Sequence, residues 1–219
     1  MKKLGALIVG LSLVAGAVLA ANPVTSVNVV GFVQSTVGAN KFKSVGWSFN
    51  VVGASGGAAT IGQILGTNGI PDLTAVYIWN GMQYIGESYY DGIGWDPGTN
   101  LISRGDGFWI SSPDQFVVTT SGEVPSTMAA STTNALAHGY QMLCYPYPVA
   151  IDLTNSSLNS IATDLDSIYV WTGSNYVGYS YYDGIGWDPG MVMKPGEGFW
   201  YYREGSSATW VENKPYSTP

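Results

Sequence analysis

The ten residues Tyr89-Tyr90-Asp91-Gly92-Ile93-Gly94-Trp95-Asp96-Pro97-Gly98 return letter for letter at Tyr181-Tyr182-Asp183-Gly184-Ile185-Gly186-Trp187-Asp188-Pro189-Gly190. The step from position 89 to position 181 is 92 residues. That is the length of a small domain and too long for one turn of a solenoid, so the duplicated object is a whole folding unit. Ile168-Tyr169-Val170-Trp171 repeats Val76-Tyr77-Ile78-Trp79 at the same step. Gly198-Phe199-Trp200 repeats Gly107-Phe108-Trp109 with one residue fewer, a deletion that falls in a loop and is tolerated there.

Within each copy the local signals are those of short strands. Residues 76–79 alternate Val and Ile with Tyr and Trp, and Asn80-Gly81 behind them is a strong tight-hairpin signal returning as residues 82–90. Neither face of that strand is polar, so it is covered on both sides or turns aromatics outward. Ile61, Ile64 and Leu65 behind Thr60 have the spacing of a single capped helical turn, and residues 157–161 repeat it. Residues 27–37 are β-branched and read as a first strand with no counterpart in the second copy. Residues 45–52 read as a further strand, with Trp47 and Phe49 on one face.

These signals predict an all-β protein of two tandem antiparallel β-sandwich or small-barrel units, each with one short helical turn. The expected division is a signal peptide over 1–20, a first β repeat over 21–122, a linker over 123–137 and a second β repeat over 138–219.

In the repeated decamer, Pro97 and Gly98 follow Asp96 as the central pair of a type II turn, with Gly at the position that needs positive φ. The decamer therefore reads first as a rigid corner that aims one indole. Asp91 and Asp96, with Asp183 and Asp188, are hard oxygen donors in Gly-rich loops and suggest calcium, but Ile93 stands where an EF-hand places its second acid, so no metal is assigned. Catalysis has little to work with. His138 is the only histidine and falls where the expected linker meets the second repeat, and a carboxylate pair such as Asp91 and Asp96 already has turn roles. The chain is expected not to be an enzyme and to need no cofactor.

Fifteen Tyr and eight Trp raise a binding role, because sugars stack their C–H faces on such rings. The candidate residues are Trp79, Tyr84, Tyr90, Trp95 and Trp109, matched by Trp171, Tyr176, Tyr182, Trp187 and Trp200, which would make two equivalent platforms. The same rings would serve equally as core or as subunit contacts.

Met1-Lys2-Lys3, an apolar run to Leu19 and a small-residue exit at Ala20 have the pattern of a secretory signal peptide. Removing it takes two of eight basic residues, leaving six against fifteen acidic ones, a net charge of −9. That argues against nucleic acid, and against anionic membrane surfaces once the signal is cleaved. Cys144, the only cysteine, excludes an intrachain disulfide and reads as a buried apolar thiol between Leu143 and Tyr145.

Asn28-Val29-Val30-Gly31-Phe32-Val33, Tyr77-Ile78-Trp79-Asn80-Gly81 with Tyr84, and Pro195-Gly196-Glu197-Gly198-Phe199-Trp200 together resemble a family of exported, β-rich tandem-repeat proteins of the verrucomicrobial and planctomycete bacterial groups. The resemblance implies export and the fold plan, and it brings no catalytic residues. The expectation is a secreted or cell-surface structural protein that assembles with copies of itself into a layer, coat or filament, its unmatched first strand completing a neighbour's sheet. The alternative is a carbohydrate-binding or adhesin module, with a polysaccharide on the Trp and Tyr platforms.

Overall fold

The computed structural model describes residues 29–53, 57–126, 131–182 and 186–217, with positions 181 and 182 described through their backbone alone. The expected signal peptide and Asp183 lie outside the described residues.

The first unit runs β1 (Val30–Val37), β2 (Lys41–Gly46), β3 (Ala58–Thr60), α1 (Ile61–Leu65), β4 (Ala75–Trp79), β5 (Tyr84–Tyr90), β6 (Gly94–Asp96), β7 (Leu101–Ser103), β8 (Gly107–Ser112) and β9 (Phe116–Glu123). The second repeats that order as β10 (Ser131–Leu136), β11 (Gly139–Cys144), β12 (Ile151–Asp152), α2 (Ser157–Ile161), β13 (Ser167–Trp171), β14 (Tyr176–Tyr182), β15 (Gly186–Asp188), β16 (Val192–Met193), β17 (Gly198–Arg203) and β18 (Ala208–Asn213). Each unit has an antiparallel five-stranded sheet, β2-β8-β4-β5-β6 or β11-β17-β13-β14-β15, with two two-stranded ribbons. No barrel closes, and each unit is sandwich-like. No helix among the described residues is long and apolar enough to cross a membrane.

The helical turns form where their spacing predicts. Thr60 caps α1, and the Gln63 side chain returns to the Thr60 amide in a capping box, an arrangement that contributes about 1 kcal/mol. Ser156 caps α2 through its hydroxyl. Both turns bury their apolar side against the unit's interior, with Ile61 and Ile64 in one core and Leu158 in the other.

Two expectations are corrected. The first strand is not unmatched: β1 pairs with β9 through all eight of its residues, and β10 pairs with β18 in the same way. β10 lies inside the stretch expected to be a linker. Its inward positions are Thr132, Asn134 and Leu136, and so polar a pattern becomes a strand only because β18 supplies its hydrogen bonds. The Asn80-Gly81 hairpin is also wider than expected. Trp79 pairs with Tyr84, and the side chain of Asn80 accepts from the amides of Met82 and Gln83 in a four-residue loop. The expected type II turn is not met in both copies of the decamer: Gly98 has φ +65° whereas Gly190 has no positive φ, and the Asp96–Pro97 and Asp188–Pro189 bonds are both cis.

The units meet about a pseudo-twofold axis at the ends of their inner strands. The Gly46 amide donates to Gly196 O at 3.0 Å, and its counterpart Cys144 donates to Gly105 O at 2.7 Å. A Cβ on Gly46 would collide with the Cys144 side chain, and one on Gly198 would sit 2.8 Å from Val45 O. At the axis only one of the two equivalent positions can carry a side chain. Cys144 carries it, fully buried, and burial pushes its thiol up to about 12.

Candidate functional site

Strand pleating puts Val76 and Ile78 inside and turns Tyr77 and Trp79 outward. Val76 is fully buried in the first core. Cross-strand pairing then stacks the outward row: Trp79 against Tyr84, Tyr77 against Gly86 and Trp109. Gly86 leaves the Tyr77 ring room to lie over the neighbouring strand. Tyr169 lies over Gly178 in the second unit, 3.2 Å from where a Cβ would stand.

Docking of the units brings these two aromatic faces together as one open trough with two bays. One bay is lined by Trp79, Tyr84, Tyr140, Tyr169, Tyr176 and Trp200 and has a volume of about 490 Å³. The other is lined by Phe42, Tyr77, Tyr84, Trp109, Trp171 and Tyr176, at about 430 Å³. Both sizes fall within the range of about 300–1,000 Å³ typical of small-molecule sites. The pseudo-twofold axis exchanges the bays, and the ring geometry follows it. Trp79–Tyr84 at 5.2 Å matches Trp171–Tyr176 at 4.9 Å, and Trp79–Trp200 at 5.6 Å matches Trp109–Trp171 at 5.9 Å. Reciprocal hydrogen bonds lock the arrangement: Trp79 Nε1 donates to Tyr140 O at 2.9 Å, and Trp171 Nε1 to Phe42 O at 3.1 Å.

Tyr84 and Tyr176 stand between the bays and belong to both, each about half exposed at 47% and 46%. Partial burial raises the Tyr84 phenol above its ordinary value, the neighbouring Tyr176 adds to that, and the Trp109 indole acts in the opposite sense. Phe42 and Tyr140 are half exposed at the outer ends, while Trp109 is buried beneath. Among the described residues no charged side chain lines either bay.

Six of the expected site residues therefore meet here: Trp79, Tyr84, Trp109, Trp171, Tyr176 and Trp200. They do not form one platform per repeat, because Trp200 of the second unit sits with Trp79 and Tyr84 of the first, and Trp109 with Trp171 and Tyr176. Trp95 lies elsewhere, half-buried against the first core with Nε1 donating to Gly66 O at 2.9 Å. Trp187 is buried in the second core. Tyr90 is exposed at the end of β5 beside the Gly94 strand, and the Tyr182 side chain lies outside the described residues. Phe42, Tyr77, Tyr140 and Tyr169 were missed. Tyr77 and Tyr169 could have been found from the alternation with Trp79 and Trp171, whereas nothing local marks Phe42 or Tyr140.

Asp91 and Asp96 are exposed, with the Asp91 amide held by Asp72 Oδ1 at 2.8 Å. Among the described residues no group of three or more His, Cys, Asp or Glu side chains gathers as a metal site. His138 is exposed beside Tyr202, its Nδ1 3.0 Å from Glu204 O. Comparisons with protein-family models, with curated proteins and with solved structures return no match.

Proposed function

We propose that this chain is an exported, non-enzymatic carbohydrate-binding protein that holds its ligand in the aromatic trough. The observation that carries the reading is the trough itself: concave, lined by Trp, Tyr and Phe rings of which all but Trp109 are partly exposed, and with no charged side chain among the described residues that line it. Sugar rings offer apolar C–H faces to such side chains, and the phenol groups offer hydrogen bonds to the hydroxyls between those faces. A glycan array probed with the full chain tests it. Binding is expected, Trp200→Ala should weaken it at least about tenfold, equivalent to about 1.4 kcal/mol, and Trp95→Ala, outside the trough, should leave it unchanged. A silent array, or equal loss from both variants, overturns the reading.

Self-assembly into a layer, coat or filament keeps one observation in its favour. β1 carries no charged residue and exposes Val30 and Phe32, the features of an edge able to accept another strand. One of its supports, a strand without counterpart, falls away because β1 is paired with β9 and matched by β10 with β18. Sedimentation and electron microscopy of concentrated protein test it, and monomers throughout would sink it.

A further inference from the structure

The two bays repeat one chemistry. Each takes rings from both units, each is bounded by Tyr84 and Tyr176, and matched ring pairs agree within a few tenths of an ångström in centroid distance. A ligand that satisfies one bay satisfies the other only if it presents the same face again further along. The residues shared by the bays are half exposed and not sealed over, so a chain lying in one bay passes across the two phenols into the next. We propose that the bays form one continuous site for an extended chain of uncharged sugar residues, an inference that rests on the carbohydrate reading above.

Charge selects among chain ligands. Among the described residues neither bay offers a cation to neutralise an acidic polysaccharide, and the protein's net charge of −7 repels one. Shape disfavours a second copy of this protein on the same face, because two concave troughs related by symmetry leave each other unfilled. A neutral repeating glycan meets both conditions. Holding one chain at both bays also makes the second contact intramolecular, which raises affinity by about 10²–10⁴ without any new interaction.

Calorimetric titration of the full chain tests this with disaccharides and long oligomers of the cello-, chito-, xylo- and manno- series, and with alginate as an acidic counterpart. For the series that binds, the disaccharide is expected to occupy both bays weakly, and the long oligomer to bind one per protein at least about a hundredfold more tightly. Tyr84→Ala, at the junction, should remove most of that length advantage while the melting temperature shows the fold retained. Tyr84→Phe, which keeps the ring, should preserve it. Long oligomers that bind two per protein with disaccharide affinity would show separate bays and overturn the proposal while leaving carbohydrate binding intact. Alginate bound in preference to every neutral series would overturn the neutral class. Failure of all these glycans to bind would remove the carbohydrate reading and this one with it.

Discussion

The two interiors fill equivalent space by different chemistry. In the first unit Thr74 donates to Ser112 Oγ at 3.1 Å, both buried. At the matching positions of the second, Asp166 and Arg203 form a buried ion pair at 3.1 Å, and the Tyr201 hydroxyl, where the first unit has Ile110, donates to the same carboxylate. Thr120 in the first unit corresponds to Glu212 in the second. Glu212 there accepts from Ser156 Oγ, the Ser157 amide and Trp210 Nε1. Trp47 and Phe49 likewise correspond to Tyr145 and Tyr147, whose hydroxyls reach Glu212. The outward faces behave in the opposite way: Tyr77 and Tyr169, Trp79 and Trp171, Tyr84 and Tyr176, and Trp109 and Trp200 are identical pairs. A core needs only its volume filled and its polar groups satisfied, conditions that many residue sets meet. A face whose rings pack across the axis on rings of the other unit, Trp79 on Trp200 and Trp171 on Trp109, has to match on both sides at once.

The strongest way to break this symmetry is at the axis. Gly46→Ala places a methyl group against Cβ and Sγ of Cys144 with Glu197 O 3.2 Å away, and we expect it to cost more than about 3 kcal/mol or prevent folding. Combining it with Cys144→Gly moves the side chain across the axis and should recover most of the loss in denaturant titrations. If the double variant is no better than the single one, the two positions are not equivalent.

The difference between the interiors predicts unequal costs at matched sites. Asp166→Ala leaves Arg203 buried and unpaired and should cost about 3–5 kcal/mol, whereas Thr74→Ala should cost about 1 kcal/mol. Replacing the pair outright by Asp166→Thr with Arg203→Ser, as in the first unit, should cost less than Asp166→Ala alone. Equal costs for Asp166→Ala and Thr74→Ala would mean the ion pair adds nothing that the neutral pair lacks.

The smallest effect is one of pH. Burial raises the Asp106 carboxyl from 3.8 to about 6, and the Ser103 amide, 2.9 Å from Oδ2, only partly offsets it. Between those values the folded state holds a proton that the unfolded state has lost, so stability falls as pH rises through the window and stays lower above it. Asp106→Asn should therefore raise stability by about 1–2 kcal/mol at neutral pH and change little near pH 4, as melting curves at the two pH values would register. A larger gain at the lower pH would reverse the assignment.

Much of the fold was legible in the chain. The duplication follows from the repeated decamer, and the two helical turns at 61–65 and 157–161 and the shared face of Tyr77 and Trp79 follow from spacings of a few residues. β10 was not, since its Thr and Asn look like linker until β18 pairs with them. Four of the ten expected site residues went elsewhere or lie outside the described side chains, because Trp95 and Trp187 turn inward on their short strands against α1 and the second core. The indoles of the decamer that shows the duplication most plainly thus face the two cores, and the trough lies on the opposite, outward face of the sheets.

By itself the sequence determined that there are two all-β units whose strands carry aromatics on one face, because strand period, caps and turn residues act within a few residues of one another. The tertiary structure alone decided that Trp200 faces Trp79 across the axis and Trp109 faces Trp171. Which rings share a bay depends on how the units dock, and docking turns on the close approach of Gly46 to Cys144, nearly a hundred residues apart, a contact that leaves no periodic trace along the chain.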